Sequence, residues 1–220
     1  VARLSSPTVR YVHELRTVPA PKPEQLRVLY LTANPEQNLR TDAEDQVRRA
    51  LHRDLSTIDY RPAATSDDLI AGLNDLRPHV VHFSGHAGDA ALLFDNGSVE
   101  APEGQDTPYD LLARALGATD IAPALVVLNG CDTLAGAEVL LESTAVVLAK
   151  ASSISDLAAS VFAAKFYAAI AAAQSIAAAV NQGSVSVDLA GLDEGGKLDV
   201  LARPDVDITQ RVLVQAPDVD

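Results

Sequence analysis

"HVVHFSGHAG", residues 79–88, begins as a hydrophobic strand and ends between glycines. Three of the chain's five histidines fall in it, and the last, His86, sits where a strand should give way to a loop. It is either a turn residue that happens to be imidazole or a base held at a strand tip. Outward from this stretch the chain alternates. Upstream, "LRVLYLTA" (26–33) reads as a buried strand. "RTDAEDQVRRALHR" (40–53) reads as a helix, with Thr41 and Glu44 as a capping box and Ala43, Val47, Ala50 and Leu51 on one side. A weaker strand, "TIDYRPA" (57–63), precedes a helix in "TSDDLIAGLNDL" (65–76), whose inner face is Leu69, Ile70, Leu73 and Leu76.

Downstream, "AALLFDNGSVE" (90–100) is expected to form a hairpin turning at Asp95, Asn96 and Gly97, and "DTPYDLLARAL" (106–116) to be helical. "PALVVLNG" (123–130) is the next strand and runs into Cys131. A short helix near 135–142, the strand "STAVVLA" (143–149) and an alanine-rich helix (157–180) follow. Strands and helices in turn predict an α/β three-layer sandwich, a mostly parallel sheet with helices on both faces. The proline-rich "PAPKPEQ" (19–25) favours an extended linker, which divides the chain into an N-terminal extension (1–25) and a domain over 26–220. The domain's core is 26–183, closed by 184–220, with "LARPDVDITQRVLV" as the closing segment.

Composition narrows the function. The chain has 220 residues, 48% hydrophobic, with 17 Lys+Arg against 30 Asp+Glu and a formal charge of -13. That balance supplies no obvious basic face for phosphate backbones, so nucleic acid is not an expected partner. A single cysteine excludes an internal disulfide and fits a reducing compartment. Residues 1–18 hold no apolar core of signal-peptide length, and the expected location is cytoplasmic. Residues 157–180 are long enough to cross a bilayer. They are mostly alanine, contain Lys165 and Gln174, and place Val161, Phe162, Phe166, Ile170, Ile176 and Val180 near one stripe, which fits a core-packed helix and no membrane partner.

In a parallel sheet, ligand sites lie outside the carboxyl ends of the strands. His86 and Cys131 each follow such an end. If the main strands run 2-1-3-4, their strands are neighbours about 4.8 Å apart, close enough for an imidazole to take a thiol's proton. Gly85, Gly88 and Gly130 flank the pair, so backbone amides there can approach a substrate carbonyl and form an oxyanion hole. His79 and His82 read as hydrogen-bonded core residues. A zinc site from His82, His86 and Cys131 lacks a fourth ligand, and residues four apart on a strand span about 13 Å, so neither metal nor cofactor is expected. "GLDEGGKL" (191–198) fits seven places of a phosphate loop, but Leu198 stands where Ser or Thr should hold magnesium, and Asp193 and Glu194 would face the phosphates. A surface turn is the expectation.

"VVHFSGHAG" (80–88) and "LVVLNGCDT" (125–133) resemble the histidine and cysteine motifs of the CHAT family, caspase-like, TPR-associated domains within the caspase and separase type of cysteine peptidase. "VLYLTANPEQNLRTDAEDQVRRAL" (28–51) is similar to that family's first strand and helix, and "SISDLAASVFAAKFYAAIAAAQSIAAAVNQG" (153–183) to its long helix after the cysteine. The resemblance implies a caspase-like sheet and a His86/Cys131 dyad cleaving a peptide bond, with Ala87 and Gly130 contributing oxyanion-side backbone. It places Asn34, Arg40, Asn129 and Asp132 around the substrate. Asp132 would favour a basic residue before the cut and Arg40 an acidic one, so the preference stays open. The implied partners are a protein or peptide substrate and a regulatory or sensor module, in a bacterial signalling or defence system. The alternative is a catalytically silent CHAT-like scaffold. Three positions depart from the family pattern: Ala87 replaces the glycine after the histidine, Gly130 the alanine before the cysteine, and Lys150 an apolar strand residue.

Overall fold

A computed structural model describes residues 19–35, 54–98, 103–130, 133–150 and 154–215. The expected helix at 40–53 lies outside the described residues. Six strands form the main sheet: β1 (Leu26–Ala33), β2 (Ser56–Arg61), β3 (Val80–Gly85), β6 (Leu125–Asn129), β7 (Val146–Lys150) and β8 (Leu198–Ala202), in the order β2-β1-β3-β6-β7-β8. All pairs are parallel except β7–β8, which is antiparallel. β4 (Ala91–Asp95) and β5 (Gly104–Pro108) make a separate antiparallel hairpin.

Side-chain alternation along each strand feeds two cores. On one face, Leu26, Val28, Val80, Leu125, Val127, Val146 and Leu148 meet α4 (Asp156–Ala171) and α5 (Ile176–Leu189). On the other, Leu29, Leu31, Phe83, Val126 and Leu128 meet α1 (Ser66–Leu76), α2 (Tyr109–Gly117), α3 (Leu134–Leu140) and the hairpin's Leu92 and Phe94. Each fully buried Leu, Val or Phe contributes about 1.5–3 kcal/mol over its exposed state, so two closed faces fix the strand order firmly. The architecture is the expected three-layer α/β sandwich, a mostly parallel sheet with helices on both faces.

Three local expectations are corrected. The hairpin does not turn tightly at Asp95–Gly97: Asp95 already pairs with Gly104, so the return strand is β5. β5 exposes every residue but Thr107 and carries no hydrophobic signal. The next helix starts at Tyr109 rather than Asp106, because Pro108 occupies its N-cap and a residue before proline is steered away from helical geometry. The alanine-rich segment is two helices, broken at Ala172–Ser175 by Ala173 in a left-handed conformation (φ 61°) and restarted by Ser175, whose hydroxyl accepts from the Ala178 amide. α5 folds back on α4 closely enough that a Cβ on Gly183 would meet the Phe162 ring at 2.7 Å. Among the described residues no helix is long and apolar enough to cross a membrane.

The glycine-rich stretch at 191–198 is the connection from α5 to β8. Glu194 accepts from the Ser155 amide and hydroxyl and from Lys197, so the lysine that would have served a phosphate is held by a neighbouring carboxylate.

Candidate active site

β3 and β6 are adjacent and parallel, with Ser84 opposite Asn129 at the end of the paired register. Gly85–His86 and Gly130 therefore leave the sheet at one rim. The two exits touch. A Cβ built on Gly130 would lie 2.6 Å from the Ala87 Cβ and 3.0 Å from the Gly85 carbonyl oxygen, so the residue after His86 packs directly on the residue before Cys131. The Ala87 methyl thus occupies the space between the two loops that a side chain at position 130 would need. Ala87 is also free of the strain that a left-handed backbone would impose, since it is absent from the positive-φ residues.

The hairpin pins the histidine loop. The His86 carbonyl accepts from the Leu93 amide at 3.0 Å, the Gly88 amide donates to the Ala91 carbonyl at 3.0 Å, and Ala87 bridges Leu92 between them. In such a bridge the central residue's own amide faces away from the partner strand. The Ala87 N–H is accordingly left for something outside the hairpin. Tyr109 closes the loop from below by donating its hydroxyl to the Gly88 carbonyl at 3.1 Å.

Cys131 and Asp132 lie outside the described residues, as does Arg40. The positions on either side of the cysteine are anchored. Gly130 is wedged against Ala87, and the fully buried Thr133 accepts from the Lys150 amide at the end of β7 (3.1 Å). Of the substrate-side candidates, Asn129 donates its side-chain amide to the Ser84 hydroxyl at 3.1 Å, across the rim between β3 and β6. Asn34, at the tip of β1, donates its backbone amide to the Asp95 carboxylate at 3.1 Å. Asp95, 8% exposed, was read from sequence only as a turn residue. Burial pushes its carboxyl up, and the Asn34 amide partly offsets that. The missed signal was an acid directly after the apolar run Leu92–Phe94.

Below the rim, on the α4 face, the sheet carries a polar pocket of its own side chains. His82 shares a 2.7 Å hydrogen bond between Nδ1 and the Tyr167 hydroxyl and stacks on Tyr30 at 4.1 Å. Burial, with a smaller contribution from the Lys150 ammonium, pushes the His82 imidazole down to about 3, so it is neutral at physiological pH. Burial likewise raises the Tyr167 phenol. Lys150, the last residue of β7, is buried at 6% exposure. His79, at the opposite end of β3, accepts the Arg27 amide on Nδ1 and faces Glu24 with Nε2. Both histidines are hydrogen-bonded structural residues, as their setting on an apolar strand suggested. Among the described residues no three His, Cys, Asp or Glu side chains gather as metal ligands.

A family model described as the CHAT domain matches residues 7–190, which include both motifs and the whole of β1 to α5. The chain belongs to the CHAT family. With that membership comes kinship to the caspase-like cysteine peptidases. No protein of curated function matches this CHAT domain. Among solved structures, a secreted C11 cysteine protease from Bacteroides thetaiotaomicron, "iotapain", aligns at 12% identity with a TM-score of 0.42, over 63% of this chain and 55% of its own. This chain therefore spans little more than half the length of that protein.

Proposed function

We propose that this CHAT domain is a cysteine endopeptidase acting through His86 and Cys131, the regulated effector of a bacterial signalling or defence system, working in the cytoplasm on a protein substrate under a regulatory or sensor partner. The observation that carries this reading is the contact between Ala87 and Gly130, which holds the exits of the histidine and cysteine segments together at one rim. His86 takes the proton from the Cys131 thiol, and the thiolate attacks the scissile carbonyl carbon. The resulting oxyanion is met by backbone amides beside the dyad, with Ala87 the one whose N–H the hairpin leaves unclaimed. His86 then passes its proton to the leaving amine as the C–N bond breaks. Water, deprotonated by His86, hydrolyses the thioester and returns the thiol. Asn34, Arg40, Asn129 and Asp132 border the substrate.

A thiol-directed peptide probe tests the reading on wild type, Cys131→Ala and His86→Ala, each with and without the physiological activator. Labelling of the wild type that disappears in Cys131→Ala and falls at least a hundredfold in rate in His86→Ala supports it. An activated wild type that does not label, or that labels equally well without His86, overturns it in favour of a silent scaffold.

A further inference from the structure

The amino ends of the strands, opposite the dyad, hold a cavity of about 220 Å³ between the segment Pro19–Glu24, the starts of β1 and β3, and the C-terminal segment around Arg211. Four of the chain's 17 basic side chains line it, Lys22, Arg27, Arg77 and Arg211, in a protein whose formal charge is -13. Glu24 is the one acid in the lining, and it is already committed: it pairs with Arg27 and faces His79 Nε2 at 3.3 Å. The His79 Nδ1 accepts the Arg27 amide, and its Nε2 lies 3.1 Å from the Arg27 Nη2 and 3.3 Å from the Glu24 carboxylate. Burial, together with the Arg27 charge, also lowers the His79 pKa, so this ring adds no positive charge at neutral pH. The cavity is therefore left with the charge of Lys22, Arg77 and Arg211.

Arg211 makes the strongest case. Its Nη2 donates to the Pro19 carbonyl at 2.9 Å, which fixes the guanidinium, while Nε is buried with no hydrogen-bond partner. No carboxylate pairs with it among the described residues, and burial pulls its pKa down. A partly desolvated cation without a counter-charge is costly, and an anion arriving in the cavity would offset that cost. The remainder of the wall is apolar, from Pro78, Ile121, Ala122 and Leu213. The volume falls below the roughly 300–1,000 Å³ of pockets that enclose a drug-sized ligand.

We propose that this cavity is a binding site for a small organic anion, one phosphate or carboxylate group attached to a compact apolar body, with the anionic group held by Arg211, Lys22 and Arg77 and the body against Ile121 and Leu213. The site is separate from the peptidase rim and does not depend on catalysis. Titration calorimetry of the full chain with phenyl phosphate and with benzoate tests it, and whichever probe binds identifies the anionic group. Saturable binding that weakens at least tenfold in Arg211→Gln and in the Lys22→Gln/Arg77→Gln double variant, yet is unchanged in Lys165→Gln on the exposed side of α4, supports the site. The double variant alters surface side chains only, so it remains informative if Arg211→Gln unfolds. Absence of saturable binding to both probes, equal binding in the double variant, or equal loss in Lys165→Gln overturns it.

Discussion

Exchanging the methyl group between positions 87 and 130 probes the site at its tightest contact. Carbon atoms in good contact lie about 3.5–4.0 Å apart, whereas Gly130→Ala puts its Cβ 2.6 Å from that of Ala87 and 3.0 Å from the Gly85 carbonyl oxygen. Neither neighbour is the flexible end of a side chain, so relief requires the histidine loop and the tip of β6 to part by about 1 Å, and overpacking of this kind costs about 1–3 kcal/mol. The reciprocal change, Ala87→Gly, removes one methyl and frees the backbone, at about 1–2 kcal/mol. In the double variant the methyl returns from the other side. The expected cycle is therefore strongly non-additive, with an interaction energy of about 1–3 kcal/mol in favour of the double variant. Urea unfolding reads the stability. The probe-labelling rate reads the dyad, where a shift of about 1 Å costs about a hundredfold. Additive single effects, or a Gly130→Ala protein with wild-type stability and labelling, would refute the argument that these loops are in contact.

Three further outcomes follow from the core. His82 has a folded-state pKa of about 3 against about 6.5 when unfolded, so between these values the unfolded chain holds the extra proton. Its contribution is complete above pH 6.5 and is lost as pH falls toward 3, by about 5 kcal/mol over the whole window. Urea titrations at stepped pH should show that slope in the wild type and a flatter one in His82→Gln, and equal slopes would sink the idea. Tyr167→Phe strips the His82 ring of its one hydrogen bond among the described residues and should cost about 1–3 kcal/mol by the same assay, with wild-type stability as the refuting result. Thr65→Ala breaks the reciprocal capping box with Asp68 at the start of α1 and should cost about 1 kcal/mol, again checked by unfolding, and no change would show that the cap is dispensable.

Where the sequence was legible, burial was the reason. Runs such as Val80–Gly85 and Leu125–Asn129 are buried along nearly their whole length, so hydrophobicity alone marks them, and alternation with helices then implies the parallel order that sets β3 beside β6. β5 was illegible because it lies on the surface with only Thr107 buried. The break at Ala172–Ser175 was hidden for another reason: alanine favours helix throughout, and composition does not mark the left-handed turn at Ala173. Ser175 was the available signal, a serine N-cap inside an otherwise uniform run. At the site, the rim positions of His86 and Gly130 follow from strand ends. The Ala87–Gly130 contact does not, because its partners are 43 residues apart and no local pattern encodes it.

The hairpin explains how a loop after a strand can be held in place. A five-residue exit from a strand, left to itself, would move on the timescale of other surface loops. Here the exit is tied down by an isolated bridge at Ala87: two backbone hydrogen bonds to β4 hold His86 and Gly88, and β4 is in turn seated in the core by Leu92 and Phe94, the latter packed on Phe83 of the histidine's own strand at 5.0 Å. The Phe83–Phe94 contact ties the hairpin to β3 only three residues before His86, so rotating the loop away from the rim would have to unseat two buried side chains as well as break its hydrogen bonds. The hairpin, weakest of the elements in its sequence signal, is thus the one that fixes the strand tip carrying His86.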